Sequence, residues 1–338
     1  MGTRPVAPAA CRGGTAMAES RHAALVLGAL GDFLLTLPLL CELRRNGPVA
    51  ILSRGHYRAL LPPGLAQEPF ADTDSATGAL LFAESAALPA ALAGLLHGAT
   101  VQAFMHEDVR LASSLRRAGV AGVVWHDPRP SQPPHIVMRF FTAAGRLPPA
   151  ALLDTPVMPR ATPAGDTLWL HPGSGSMAKS LAPTALVEFA RRGLDRGLAR
   201  LVVSFGEADL ALREPVRQAF AQHRLAFTEV VCPDLGELRH RLAAEAAAFV
   251  GPDTGVTHLA AALGIPTTAI FRATDPAVWR PVGNVCVLDQ RPAAPSGQRR
   301  GPAGGSRLRC GGFSAERTEM MGPAAGLSGG RRGLRRDP

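Results

Sequence analysis

Short apolar runs alternate along this chain with longer stretches in which apolar residues recur every three or four positions. Ala23–Gly28 (AALVLG) is too short for a helix of its own and reads as a strand, while Gly31 to Asn46 reads as a helix ended by Gly47. Val49–Ser53 is a second strand candidate. Val101–Met105 and Val120–Trp125 continue the series, separated by helix-like stretches. The segment Pro156–Asp166 holds three prolines and a glycine and reads as a linker. The alternation then restarts. Thr167–His171, Arg200–Phe205, Ala247–Val250 and Thr267–Phe271 read as strands. Helices are expected over Pro183–Leu194, from about Glu207 onward, and over Gly255–Leu263. Strands alternating with helices, twice over, predict an α/β protein of two parallel-sheet domains, at 23–155 and 167–289 with the linker 156–166 between them.

Composition adds limits rather than detail. Of 338 residues, 46% are hydrophobic and 19% charged, which supplies a core and argues against disorder throughout. No run of about 18 apolar residues occurs, so a membrane-spanning helix is not expected. Cysteines 11, 41, 232, 286 and 310 are odd in number and scattered, which disfavours a disulfide framework or a cysteine-built zinc site. The net charge of +9 belongs to the ends: residues 290–338 carry ten Arg against Glu316, Glu319 and Asp337, and residues 23–289 are neutral overall. Nucleic acid is therefore not an expected partner of the folded part. Residues 1–22 read as a disordered extension without a signal-peptide core, so export is not supported. Residues 290–338, rich in Gly, Pro and Arg, read equally as a disordered tail or as a frame-shifted replacement of the genuine C-terminus.

In parallel sheets ligands sit where strands end and helices begin, so the chemistry is sought in those loops. The first is GALGDF, residues 28–33, where Asp32 opens a helix; a plain helix-terminal charge is the simpler reading and a base at a cleft the functional one. The second is HPGSGSMAK, residues 171–179, whose glycines and serines suit a backbone approaching phosphate oxygens, though it is not a Walker A loop. Lys179 is the only lysine in the chain, the other 35 basic residues being Arg, and a compact ammonium retained in such a loop points to a function. Glu207 opens another helix, as either a dipole-end charge or an acceptor for a sugar hydroxyl. In residues 250–259 Asp253, Thr254 and Thr257 cluster at a helix start, where capping is the simpler role; His258 follows on the first turn, without partners at metal-ligand spacing. Thr274 and Asp275 precede Pro276, a favoured first helical residue. In residues 55–150 no motif stands out, and His97, His106, Glu107, Asp108 and His126 read mostly as solvated surface.

Taken in order, these loops resemble glycosyltransferase family 9, the heptosyltransferases of lipopolysaccharide core assembly. LGALGDFLLTLP (27–38) is similar to the family's N-terminal signature and residues 171–179 to its donor-phosphate loop. GPDTGVTHLAAALGIP (251–266) with TDP (274–276) is similar to its C-terminal signature, and the resemblance spans about residues 23 to 288. It implies a GT-B fold, two Rossmann-like domains facing an interdomain cleft. The donor would be a nucleotide sugar such as ADP-heptose, held by the C-terminal domain, and the acceptor a lipid-linked saccharide held by the N-terminal one. Transfer would be inverting and independent of metal or other cofactor, at the cytoplasmic face of the inner membrane. On this sequence the resemblance assigns Asp32 as general base. It assigns Ser174, Gly175, Ser176, Lys179, Asp253, Thr254, Gly255 and His258 to the donor, with Glu207 by a looser alignment. The chain departs from the family pattern at Leu181, where a tryptophan is common, at Arg272, where a glycine is expected, and in the tail from residue 290. These departures leave a second reading, a nucleotide-sugar-binding protein impaired in transfer, and a third, a sugar-nucleotide epimerase.

Overall fold

The computed structural model describes residues 21–83, 87–160 and 165–292. The extension and the tail therefore lie almost wholly outside the described residues. The first lobe holds β1 (His22–Val26), α1 (Leu30–Arg44), β2 (Val49–Ser53), β3 (Phe70–Asp72), α2 (Ala76–Ala79), α3 (Ala90–Leu96), β4 (Thr100–Ala103), α4 (Val109–Arg117), β5 (Gly122–Trp125) and α5 (Ile136–Ala143). Its strands are all parallel, in the order β3-β2-β1-β4-β5. The second holds β6 (Thr167–Leu170), α6 (Pro183–Asp195), β7 (Arg200–Phe205), α7 (Leu210–Gln222), β8 (Thr228–Val231) and α8 (Leu235–Glu245). It continues through β9 (Ala246–Pro252), α9 (Gly255–Ala262), β10 (Thr267–Phe271), α10 (Pro276–Trp279) and β11 (Val285–Asp289). That sheet is also parallel, in the order β11-β10-β9-β6-β7-β8.

Strand order reverses between β1 and β4 in the first sheet and between β6 and β9 in the second. Two loops that diverge at such a point leave a crevice beyond the strand ends. Four loops open there, after β1, β4, β6 and β9, and three of them carry Asp32, Lys179 and Asp253.

Helix α1 explains how the lobes are held. Phe33 through Leu40 are all buried, so the helix is covered on every side. A helix apolar all round belongs inside a fold rather than on its surface. Here α1 lies between its own sheet, α5 and α9 of the other lobe, and the cluster containing Phe33, Phe141, Trp169, Phe249 and Leu259 runs through both lobes. Gly255 marks the closest approach: a Cβ there would sit 2.6 Å from Cβ of Leu30. Polar links add to this, with Arg239 Nη1 donating to Ala59 O (2.7 Å) and Arg280 Nη2 pairing with Asp154 Oδ1 (2.6 Å).

Several elements escape the sequence pattern, among them α5, β11, β3, β8 and α8. β3 has three residues and β8 four, the latter at a sheet edge with Glu229 held by Arg213 and Arg217. In α8 only Leu238 and Leu242 are buried, one turn apart, and five of its eleven residues are charged or histidine. The helix expected from Glu207 begins instead as a 3-10 turn over Glu207–Asp209, with α7 proper starting at Leu210. The segment read as a linker is not free along its length: Met158 N–H donates to Ala262 O (2.8 Å) and Arg160 N–H to Leu263 O (3.1 Å), which docks it on the end of α9. β1 begins at His22, inside the segment read as the N-terminal extension, because Pro48 O accepts the His22 N–H at 3.0 Å.

His135 joins the lobes in one tautomer. Its Nε2–H donates to Arg280 O (2.9 Å), and its Nδ1 accepts from Val137 N–H (3.3 Å), capping α5. Burial pushes its pKa down to about 4, and burial does the same to His126, which rests on Phe104 with Nε2 at 2.8 Å from Gln102 Oε1. His126 is thus buried and not the solvated residue the sequence suggests. A histidine with a lowered folded pKa stays neutral in the fold while the unfolded chain takes up a proton. Stability is expected to fall as pH drops from about 6.5 toward 4, by about 1.4 kcal/mol per pH unit for each such histidine. Urea denaturation at pH 7, 5.5 and 4.5 measures this, and His135→Gln is expected to reduce the slope.

Candidate active site

The N-termini of α1 and α9 meet at the cleft. The Cβ position of Gly31 lies 3.4 Å from Cδ2 of His258, so the first turn of α1 rests against that imidazole. Thr254 is the N-cap of α9, its Oγ1 facing Thr257 N–H at 3.5 Å, and Thr257 Oγ1 donates to Pro252 O (2.6 Å). Capping α9 is therefore the work of Thr254, which leaves Asp253 for another task.

Asp253, 8% exposed, collects three side chains from three loops. Lys179 Nζ lies 2.8 Å from its Oδ2, Thr274 Oγ1 donates to the same oxygen, and His258 Nε2 stands 3.4 Å from Oδ1. Burial alone would raise its pKa. The hydrogen bond and charge of His258 and the bonds from Lys179 and Thr274 outweigh burial, and hold the carboxyl well below the ordinary carboxylate range. The carboxylate thus binds the loops after β6, β9 and β10 into one surface.

Asp32 lies across the cleft on the first turn of α1. Its Oδ2 accepts the Ala29 N–H (3.0 Å), so it does cap its helix, while Oδ1 has no partner among the described residues and is not sealed from solvent. Burial is the largest influence on it and raises its pKa. The Ala29 N–H and the charges of His258 and Arg129 pull the other way, and Asp253 adds to the rise. Arg129, in the loop after β5, is exposed and gives no signal in the sequence.

Behind the loop of residues 171–179 lies a buried pair that sequence reading misses. His171 Nδ1–H donates to Ser204 O (2.9 Å), and His171 Nε2 stands 3.4 Å from Asp209 Oδ2. Burial lowers the His171 pKa, against the opposing effects of Asp209 and the Ser204 carbonyl. A Cβ on Gly173 would fall 1.8 Å from Asp209 Oδ1, so only glycine lets the loop pass over this carboxylate. Asp209 is 4% exposed, while Glu207, two residues earlier, is exposed. Glu207 and Asp209 both stand in the turn that opens α7, and only burial sets them apart. Ser174 is half-buried, Gly175 and Ser176 are exposed, and Gly175 has open space where a side chain would go. Asp275 caps α10 through Ala277 N–H (3.0 Å), with Pro276 at the first helical position.

The arrangement is therefore a carboxylate with a raised pKa on one wall, and on the other an ammonium, a histidine and a helix N-terminus. Such a wall accommodates a phosphate-bearing ligand, and the carboxylate can take a proton from a second ligand beside it. Among the described residues no group of three metal-ligating side chains occurs.

Two parallel-sheet domains with this cleft form a GT-B glycosyltransferase architecture. Residues 185–303, most of the C-terminal lobe and a stretch beyond the described residues, match the model of glycosyltransferase family 9 (heptosyltransferase). The fold is similar to the family 9 glycosyltransferase from Veillonella parvula (TM-score 0.60, 13% identity, 80% of this chain and 87% of that one). It is similar also to E. coli heptosyltransferase WaaC with ADP (0.55, 20%, 78% and 92%) and to E. coli ADP-heptose lps heptosyltransferase II (0.59, 16%, 79% and 90%). A search of curated protein sequences returns no match. The C-terminal lobe thus matches glycosyltransferase family 9, and the fold of the whole described chain is the one seen in the solved family 9 structures. Among the described residues no helix is long and apolar enough to cross a membrane.

Proposed function

We propose that this chain is a glycosyltransferase that moves a sugar, heptose from ADP-heptose being the first candidate, onto a lipid-linked saccharide of the lipopolysaccharide core type, with inversion at the anomeric carbon. The observation that carries the reading is the placement of Asp32 opposite the Lys179–Asp253–His258 cluster, with the N-terminus of α9 between them. The names of the similar structures support the choice of donor, since one holds ADP and another is described by ADP-heptose.

In this mechanism the acceptor hydroxyl lies against Asp32 Oδ1. As its oxygen bonds to the anomeric carbon, its proton passes to the carboxylate, because an alcohol is too weak an acid to ionise by itself at neutral pH. The bond from the anomeric carbon to the diphosphate oxygen breaks at the same time. Charge collects on the departing nucleoside diphosphate, and Lys179 and the N–H groups that open α9 receive it. On this reading Ser174, Gly175, Ser176, Thr254, Gly255 and His258 also hold the donor, with Glu207 as a further contact. An acceptor carried on a lipid would be met at the cytoplasmic face of the inner membrane.

Lys179→Ala removes a charge-assisted contact to phosphate, so the Kd for ADP is expected to rise about ten- to hundredfold. Isothermal titration of both proteins with ADP tests this, alongside transfer from ADP-heptose to a lipid A-linked acceptor. A wild-type chain that binds no nucleoside diphosphate would overturn the reading. Conversion of the donor with no acceptor present, seen by mass spectrometry, would replace it with epimerisation.

A further inference from the structure

The charge account of the donor wall leaves one cation over. Lys179 is paired with Asp253 at 2.8 Å, so part of its charge is answered before any ligand arrives. Arg272 is the residue after β10, two positions before Thr274, which itself donates to Asp253. Its guanidinium crosses to the neighbouring loop, where Nη1 donates to the carbonyl of Ser180 at 2.5 Å, next to Lys179. It forms no ion pair with a carboxylate among the described residues, and the side chain is exposed. A guanidinium offers several N–H donors in one plane, and a single carbonyl occupies few of them.

We propose that Arg272 is a second phosphate-binding residue of this chain, supplying the uncompensated positive charge that receives the donor's diphosphate while it holds the loop of residues 171–181 in place through Ser180. This rests on the donor reading above.

The test compares wild type, Arg272→Met and Arg272→Lys by titration with ADP and with adenosine, at low and moderate salt. Arg272→Met is expected to weaken ADP binding about ten- to hundredfold, the loss of one charge-assisted contact. Adenosine, which lacks phosphate, should be held within about threefold of wild type, and the salt dependence of ADP binding should become shallower. Arg272→Lys keeps the charge without the fork and should recover part of the loss. If Arg272→Met binds ADP within about threefold of wild type, the proposal is wrong. If it loses ADP and adenosine equally, Arg272 acts only by holding the loop and the phosphate role is wrong. Failure of the wild type to bind ADP would instead strike the donor reading. The exposed position favours folding of both variants, and thermal melts alongside Arg272→Lys separate lost binding from lost structure.

Discussion

Asp32→Asn is expected to lower the rate of transfer by about a hundred- to ten-thousand-fold, with ADP affinity within about twofold of wild type. The amide keeps the size of the carboxylate and can still accept the Ala29 N–H, so helix α1 keeps its cap. What is lost is the capacity to take a proton. The pH profile carries the same signature. Burial raises the Asp32 pKa, and only the ionised form is a base, so wild-type kcat/KM should fall as pH drops, with its midpoint above that of an ordinary exposed aspartate. The Asn variant should lack that limb. A linked effect has the opposite sign for stability: a raised carboxylate pKa means the folded state resists ionisation. The wild type therefore loses stability as pH rises through the folded pKa, and Asp32→Asn should be slightly more stable than wild type at pH 7. Transfer assays from pH 4.5 to 8 and urea denaturation at pH 7 decide both points. Near-full transfer by the Asn variant would remove Asp32 from the mechanism.

Asp253→Ala should cost about 3 kcal/mol of stability at pH 7, the range for removing one partner from a buried ionic cluster. It strands His258 Nε2, whose ring also has its buried Nδ1 without a partner, and it frees Lys179 and Thr274 from the geometry that joins three loops. The stabilisation comes from a carboxyl held below its ordinary range, so it is fully present above the unfolded-state value near ~3.9 and is lost as pH falls through the lower folded value. The gap between wild type and variant should therefore be flat from pH 8 to 5 and close in stronger acid. Urea denaturation of both proteins across that range measures it. A difference within about 0.5 kcal/mol at pH 7 would show that the cluster contributes nothing to folding. Donor affinity should fall with it, because Lys179 is no longer aimed.

Much of this site was legible because parallel sheets put chemistry in predictable places. Strands such as Val49–Ser53, Arg200–Phe205 and Thr267–Phe271 stand in the sequence as apolar runs bounded by polar turns, and the structure has them at the same residues. Three of the four loops that follow a strand at a reversal of strand order carry a residue singled out from sequence, Asp32, Lys179 or Asp253. The isolated lysine added a signal that periodicity lacks. By contrast, Asp209, His126 and Arg129 gave none. Their importance depends on burial or on position across the cleft, and a lone Asp, His or Arg in a loop looks the same whether covered or solvated.

Sequence alone determined the two alternating series, the parallel strands they imply and the polar loops at their ends, because those depend on local periodicity and on which residues tolerate a helix start. Tertiary structure decided the rest. It set which acid near residue 207 is buried, gave the cap of α9 to Thr254 and so released Asp253 to gather Lys179, Thr274 and His258, and laid the first turn of α1 against His258. Several of those outcomes arise from contacts between segments far apart in the chain, such as Lys179 with Asp253 and Gly31 with His258. Such contacts exist only after the chain has packed α1 between the lobes.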